Sequence, residues 1–496
     1  MQKILKKFFF SNYLLIGILS LATFLRLYRI NELLGFWYDQ GRDALVIWDM
    51  IYKGKLTLIG PMMGFTGMFR GPWYYYLITP FYWLGHGNPI FPSVFLISTT
   101  VLAIYFLFLI GEKLGSKNVG LFAALVASVS AYIISSSRWF SDPTPTLLVS
   151  VLLIWATFKY HDKKVWALPL IGFLIGMSLQ FSASTEIFYI PAFLVILYLF
   201  RKLLPKFKVI FLSGISFLVP FLFQALFELR HLGTLSGALF QFIFKEKTFS
   251  LSFWKIIETR LPFYYSLFAS KFWFGNILFA PFFIIFLITL ILKWREFWHN
   301  DKFKIIFVLS IGPFIGTLFF VSNLGAIYDY YFTGYYLIWI LLFSFVILSI
   351  PRSFVRKFIL IAFFALLIFE NCKSYITSYF ISLNDPKIVV LGNELKAIDW
   401  IYRDANGRNF NVDEYVPPVI PYTYEYLFEW LGHTKYNQLP DTSNVKLLYT
   451  LEEADFDHPD RIAAWYARQN GIGKVEEKVQ FGGITVERRL RYENKK

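Results

Sequence analysis

The stretch NELLGFWYDQGRDALVIWDM, residues 31–50, places Asp39, Arg42, Asp43 and Asp49 close together in an otherwise apolar region. Asp39 and Asp43 stand four apart and Arg42 follows Asp39 by three, so a helix beginning near residue 39 puts all three on one face. A positioned carboxylate can take a proton from an attacking hydroxyl or amine, which is general-base chemistry. The same trio can equally be a solvated, salt-bridged helix start, with Asp39 favoured by the helix dipole. Further carboxylates (Asp142, Glu186, Glu228 and Asp329) recur where apolar stretches end. Carboxylates held among aromatics at a membrane face are costly to desolvate, so they pair or do chemistry. Cys372 is the single cysteine and the six histidines are scattered, so no His or Cys set has metal-ligand spacing. A divalent ion held by carboxylates near Asp39 is left open.

The elements that must carry these groups are written in the composition. The chain has 496 residues and is 56% hydrophobic, 21% aromatic and 16% charged, against roughly 25% charged in soluble domains. The apolar residues come in runs long enough to cross a bilayer. Eleven such stretches are expected, the first near 8–27 and the last near 355–370. The net charge of +15 sits in short Lys/Arg clusters between apolar runs and not on a polar face, which argues against a nucleic-acid partner. With Lys3, Lys6 and Lys7 in the cytoplasm, every second loop is basic, and Arg138 is the one Lys or Arg among the short opposite loops. The positive-inside rule then predicts a cytoplasmic N-terminus and an extracytoplasmic C-terminus in a plasma or inner cell membrane. The basic start followed by an apolar run, with no small-residue cleavage site, reads as a retained first helix. The segment GPWYYYLITPFYWLG, 71–85, is short, holds two prolines and is rich in Trp and Tyr, so it is expected as a helix lying in the interface.

Two domains are expected: 1–381, a polytopic α-helical membrane domain with a long first outer loop at 28–89, and 382–496, a polar extracytoplasmic tail. A second outer loop, about 228–276, contains KEKTFSLSFWKIIETRLPFYYSLFASKFWFG, which looks amphipathic and surface-lying. In the tail, helix-like segments (392–404, 422–431, 459–469) alternate with strand-like ones (411–416, 446–449, 475–481, 485–488), which predicts a small α+β domain.

The opening of the chain, through Arg26-Leu27-Tyr28, Tyr38-Asp39-Gln40 and Arg70-Gly71-Pro72-Trp73-Tyr74, resembles that of glycosyltransferase family 39. That family includes protein O-mannosyltransferases and lipid A aminoarabinose transferases and has the GT-C membrane fold. SSSRWFSDPTPTLL is similar to the family's Arg and Asp at the mouth of the third and fourth spans, here Arg138 and Asp142. GAIYDYYFTGYYLIWIL resembles the Tyr-rich start of a late span and places Tyr330 and Tyr331 near a donor. The resemblance implies a GT-C-like fold and transfer of a hexosyl- or pentosyl-type sugar from a polyprenyl-phosphate carrier. The acceptor would be a protein, lipid or cell-envelope glycan on the non-cytoplasmic face, and the transfer would invert the anomeric centre. Asp39 matches the family's loop aspartate and is the expected base, with Arg42 and Asp43 beside it. Arg70 and Arg138 are the expected cations for the departing phosphate. Gln40 stands where the family has Glu. Gln180, a substrate-binding candidate by position, stands where much of the aminoarabinose branch has a Lys suited to phosphate, so phosphate recognition leans on arginines or on a divalent metal. No other cofactor is implied.

The rival reading is a transporter or flippase. Transporters place charges near the bilayer midplane and carry inverted repeats; here the acids sit at the ends of the apolar stretches. A non-catalytic scaffold, the second rival, would keep working after substitution of Asp39.

Overall fold

A backbone surrounded by Leu, Ile, Phe and Val side chains has only itself to satisfy its N–H and C=O groups, and the helix is the local solution. The computed structural model describes residues 2–63, 67–182, 184–244, 253–318, 327–417 and 420–492. Each of the eleven expected apolar stretches contains a helix among the described residues, and the stretch expected near 303–322 runs past them at its C-terminal end. Among the described residues, Ile90–Leu114, Phe207–Arg230 and Asp329–Leu348 are long and apolar enough to cross a membrane. Lys117–Val129 and Ala131–Arg138 qualify together as a pair bent by 64°. Asn12–Leu27, Thr146–His161, Ala167–Phe181, Glu186–Leu199 and Ile277–Leu292 are shorter apolar helices. The segment expected in the interface is the helix Trp73–Leu84. The amphipathic outer segment starts outside the described residues and continues as the helix Phe253–Ala269.

Contacts group the chain into two compact units. The first comprises Met1–Leu27, Thr57–Leu77 and Phe95–Tyr375, and the second Tyr28–Leu56, Ile78–Val94 and Ile376–Lys496.

In the first unit, the bend at Ser130 leaves carbonyls that a straight helix would satisfy. Arg26 is fully buried and donates to Ala127 O at 2.8 Å and Ser128 O at 3.1 Å. Tyr375 donates its hydroxyl to Val129 O. Beyond the bend, Asn371 Oδ1 accepts from Ala131 N at 2.6 Å, and Ser130 Oγ accepts from Ile133 N to cap the new helix. The Arg of the Arg26-Leu27-Tyr28 signature therefore holds a broken helix, and the far half of that helix ends at Arg138.

The second unit contains the α+β tail. Its strands are β1 Phe410–Tyr415, β2 Leu447–Glu453, β3 Gly473–Phe481 and β4 Ile484–Arg491. They form a mixed sheet in the order β1-β2-β4-β3, with β1 and β2 parallel and the other pairs antiparallel. Parallel pairing needs a crossover, and it runs through the helix Tyr422–Leu431. The helix Leu391–Ala405 buries Leu391, Ala397, Ile398, Ile401 and Ala405, the spacing of one helical face. Residues 28–56 and 78–89 of the first outer loop belong to the same unit: Leu391 N donates to Leu34 O at 2.9 Å, and Trp37 Nε1 to Val389 O at 3.1 Å.

Two buried glutamates make this unit sensitive to pH. Burial pushes the Glu453 carboxyl up to about 7, although the Tyr424 hydroxyl donates to it at 2.8 Å. Burial raises Glu394 as well, and the Glu453 charge adds to the shift. Folded values above the ordinary glutamate value of 4.5 mean that the folded unit binds protons more tightly than the unfolded chain. The Glu453 contribution to stability is therefore complete below 4.5 and is lost as pH rises through about 7. Thermal unfolding of the full chain in nanodiscs is expected to have a lower midpoint at about pH 8 than at about pH 5. Glu453→Gln should reduce that difference and leave the part due to Glu394, and a difference unchanged in the variant would remove Glu453 as a cause.

Candidate functional site

Asp39, Arg42 and Asp43 lie on the helix Tyr38–Tyr52 of the second unit. Gln40 occupies the third helical position and its Oε1 accepts from Trp37 N at 3.1 Å, which satisfies a backbone donor at the helix start. Gln40, standing where the family has Glu, thus serves the helix end. Arg42 bridges both acids, Nη1 to Asp39 Oδ1 at 2.7 Å and Nη2 to Asp43 Oδ1 at 2.7 Å. The two acids differ in access: the Asp39 side chain is 59% exposed and that of Asp43 is 9% exposed. Asp43 thus orients the guanidinium, and Asp39 presents a carboxylate to solvent.

Asp49 of the opening motif, and Glu186 and Glu228 at the span ends, are engaged by neighbouring groups of the fold. Asp49 is paired with Lys53 and Lys55, each at 2.8 Å, and these ammonium groups hold its carboxyl below the usual range. Glu186 is fully buried and accepts from Gly334 N at 3.2 Å and Thr185 N at 3.3 Å. Glu228 accepts from the backbone of Leu235 and Ser236 in the first turn of the helix Thr234–Phe244.

The Asp39 helix is fixed by the tail. A side chain at Gly41 would run into the backbone nitrogen of Thr423, so glycine is required for this approach. The rings of Tyr38 and Tyr422 lie 5.0 Å apart, and Lys53 reaches Glu429 at 3.4 Å. Gly41→Val is expected to separate the Asp39 helix from the Tyr422–Leu431 helix. Its cost is in the overpacking range of about 1–3 kcal/mol, read as a lower unfolding midpoint and as faster proteolysis of the tail. A variant as stable as the parent would mean that the seam is not tight.

In the first unit, Arg70 and Asp142 form an ion pair, and Ser141 Oγ donates to Asp142 Oδ1 at 3.2 Å. Asp142 is buried, so the pair is shielded from screening. The backbone around Arg70 is tied down on both sides: Gly60 N donates to Arg70 O at 2.7 Å and Arg70 N to Pro61 O at 3.1 Å. Gln180 Oε1 accepts from Gly71 N at 2.8 Å while its Nε2 donates to Gln224 Oε1 at 3.0 Å, and Gln224 Nε2 donates to Phe69 O at 2.8 Å. Gln180 thus anchors the segment that carries Arg70. Arg138 is half-buried in the last turn of its helix, where a cation suits the dipole. Tyr330 packs edge-on against Trp139 at 5.6 Å and lies within electrostatic reach of Arg70. The Tyr331 carbonyl accepts from Thr185 Oγ1. The structure thus brings Arg70, Asp142, Gln180 and Tyr330 into one neighbourhood of the first unit, and Asp39, Arg42 and Asp43 into one of the second.

Beside Tyr330 lies a cavity of about 310 Å3 bounded by Tyr132, Trp139, Asp329, Thr333 and Tyr336. Tyr132 donates its hydroxyl to Asp329 Oδ2 at 2.5 Å. Lys271 is fully buried, with its ammonium 3.2 Å from the ring centre of Tyr132 and 3.8 Å from that of Tyr336. Sequence reasoning passed over Tyr132, Trp139 and Lys271 as functional residues. Lys271 had a signal, a lone Lys inside the aromatic run SLFASKFWFG. Among the described residues no group of three or more His, Cys, Asp or Glu side chains could hold a metal ion.

Residues 70–226 match the family described as dolichyl-phosphate-mannose-protein mannosyltransferase, a stretch that includes Arg70, Arg138, Asp142 and Gln180. No curated protein sequence matches the chain significantly. The fold is that of the GT-C membrane proteins. It is similar to ArnT from Cupriavidus metallidurans in the apo state, with a TM-score of 0.60 and 11% identity over 96% of this chain and 98% of that one. The same protein bound to undecaprenyl phosphate gives 0.59 and 12% identity over 97% and 98%.

Proposed function

We propose that the chain is a membrane glycosyltransferase that moves a hexosyl- or pentosyl-type sugar from a polyprenyl-phosphate carrier to a hydroxyl- or amine-bearing acceptor on the non-cytoplasmic face, with inversion. The observation that carries this reading is the Arg70–Asp142 pair, built into the stretch that matches a lipid-phosphate-sugar transferase family. The GT-C fold, shared with a protein seen with undecaprenyl phosphate, supports it.

In this reading Asp39 takes the proton from the acceptor as its oxygen or nitrogen attacks the anomeric carbon. The anomeric carbon–oxygen bond breaks on the opposite side, and its electrons pass to the phosphate. Growing negative charge there is met by fixed cations, for which Arg70 and Arg138 are the candidates. Arg42 holds the Asp39 carboxylate in orientation, and Asp142 keeps Arg70 in place. The basic loops support a cytoplasmic N-terminus, which puts the tail outside.

The test is release of free polyprenyl phosphate by purified protein in nanodiscs, given a panel of polyprenyl-phosphate sugars with candidate acceptors. Turnover with one donor is the expected result. Release from none of them, with and without divalent metal, would overturn the reading in favour of transport.

A further inference from the structure

The cavity beside Tyr330 mixes ring faces (Trp139, Tyr132, Tyr336), hydroxyls (Ser135, Ser136) and one carboxylate, Asp329. We propose that it receives the sugar ring of the donor, with Trp139 as the stacking platform and Asp329 as acceptor for the sugar's hydroxyl hydrogens. This rests on the lipid-linked transfer reading and extends it to a sugar subsite.

Size, chemistry and charge converge on this occupant. At about 310 Å3 the cavity is at the low end of small-molecule sites, which run from about 300 to 1,000 Å3. That holds a single ring and not a polyprenyl chain. A sugar ring presents C–H faces and a hydroxyl rim, which match aromatic planes alternating with hydroxyls. The exposed carboxylate of Asp329 repels a phosphate, so the anionic part of the donor belongs elsewhere.

Asp329 is held for this task. Its Oδ2 accepts from the Tyr132 hydroxyl at 2.5 Å and its Oδ1 from Tyr330 N at 2.8 Å, while the Tyr336 hydroxyl donates to Asp329 O at 2.8 Å. Each carboxylate oxygen keeps a further lone pair for a ligand. Lys271 sits between the Tyr132 and Tyr336 rings at 3.2 and 3.8 Å. A fully buried side chain packed between two rings restricts both of them, so Lys271 is a positioning residue that acts through the two tyrosines.

The experiment compares two ligands on the full chain in nanodiscs: the polyprenyl-phosphate sugar that the wild type binds most tightly, and bare polyprenyl phosphate. Asp329→Asn and Trp139→Ala are expected to weaken the sugar-bearing ligand at least about tenfold and to leave the bare phosphate within about twofold. Lys271→Met should change the same ratio in the same direction, which a general loss of folding would not do. Equal weakening of both ligands would overturn the proposal, because the cavity would then serve the phosphate or the fold. No weakening of either would overturn it too. A wild type that binds neither ligand overturns the lipid-linked reading itself, and the subsite with it.

Discussion

Asp39→Asn is expected to lower sugar transfer by about 10²–10⁴-fold, the usual worth of a positioned general base. Affinity for the sugar-bearing lipid should stay unchanged. The substitution is isosteric on a side chain that is 59% exposed, so the fold should survive it. It keeps an oxygen to accept from Arg42 Nη1 and removes only the basicity. The loss should appear in kcat with the acceptor present. Hydrolysis of the donor by water, which needs less help from a base placed for a larger nucleophile, should fall less. Arg42→Lys is the companion variant, because it keeps a charge near Asp39 but cannot bridge Asp39 and Asp43 with one planar fork. Transfer by Asp39→Asn within about tenfold of the parent would remove Asp39 as the base and leave the rest of the reading standing.

How much of this was legible in the sequence depends on how far apart the interacting residues lie along the chain. The apolar stretches were readable because length and composition decide them locally. The alternating elements of the tail were readable because periods of two and 3.6 are local as well. The Asp39–Arg42–Asp43 face follows from helical spacing, and the structure forms that bridge. Gln40 was visible as a departure from the family, but its use as a helix cap depends on the backbone of Trp37. The cavity was not legible. Asp329 and Tyr132 are 197 residues apart, and Lys271 meets both tyrosines only after three separate segments fold together. Gln180 marks the same limit: its position suggested substrate binding, and its amide is engaged with Gly71 and Gln224.

Arg70→Ala is expected to have the second large effect, and the ion pair with Asp142 makes the single variant ambiguous. Loss of one fixed cation at the departing phosphate should lower kcat by about 10²–10³-fold. The same change leaves Asp142 buried without its partner, which costs about 3–5 kcal/mol of stability when a buried pair is broken from one side. A fall in rate could then come from a damaged fold. The double variant Arg70→Gln with Asp142→Asn removes both charges and leaves two amides able to hydrogen-bond each other. Stability should return towards the parent value while kcat stays low, because no cation faces the phosphate. Arg70→Lys should fall between, since it keeps the charge and loses the planar set of donors that a guanidinium can offer a phosphate. Recovery of kcat to within about tenfold in the double variant would show that Arg70 serves the fold through Asp142. The phosphate would then have to be met by Arg138 or another cation, and Arg138→Gln becomes the variant with the large effect. The two quantities to be read together are the unfolding midpoint and kcat, because a catalytic arginine separates them and a structural one does not.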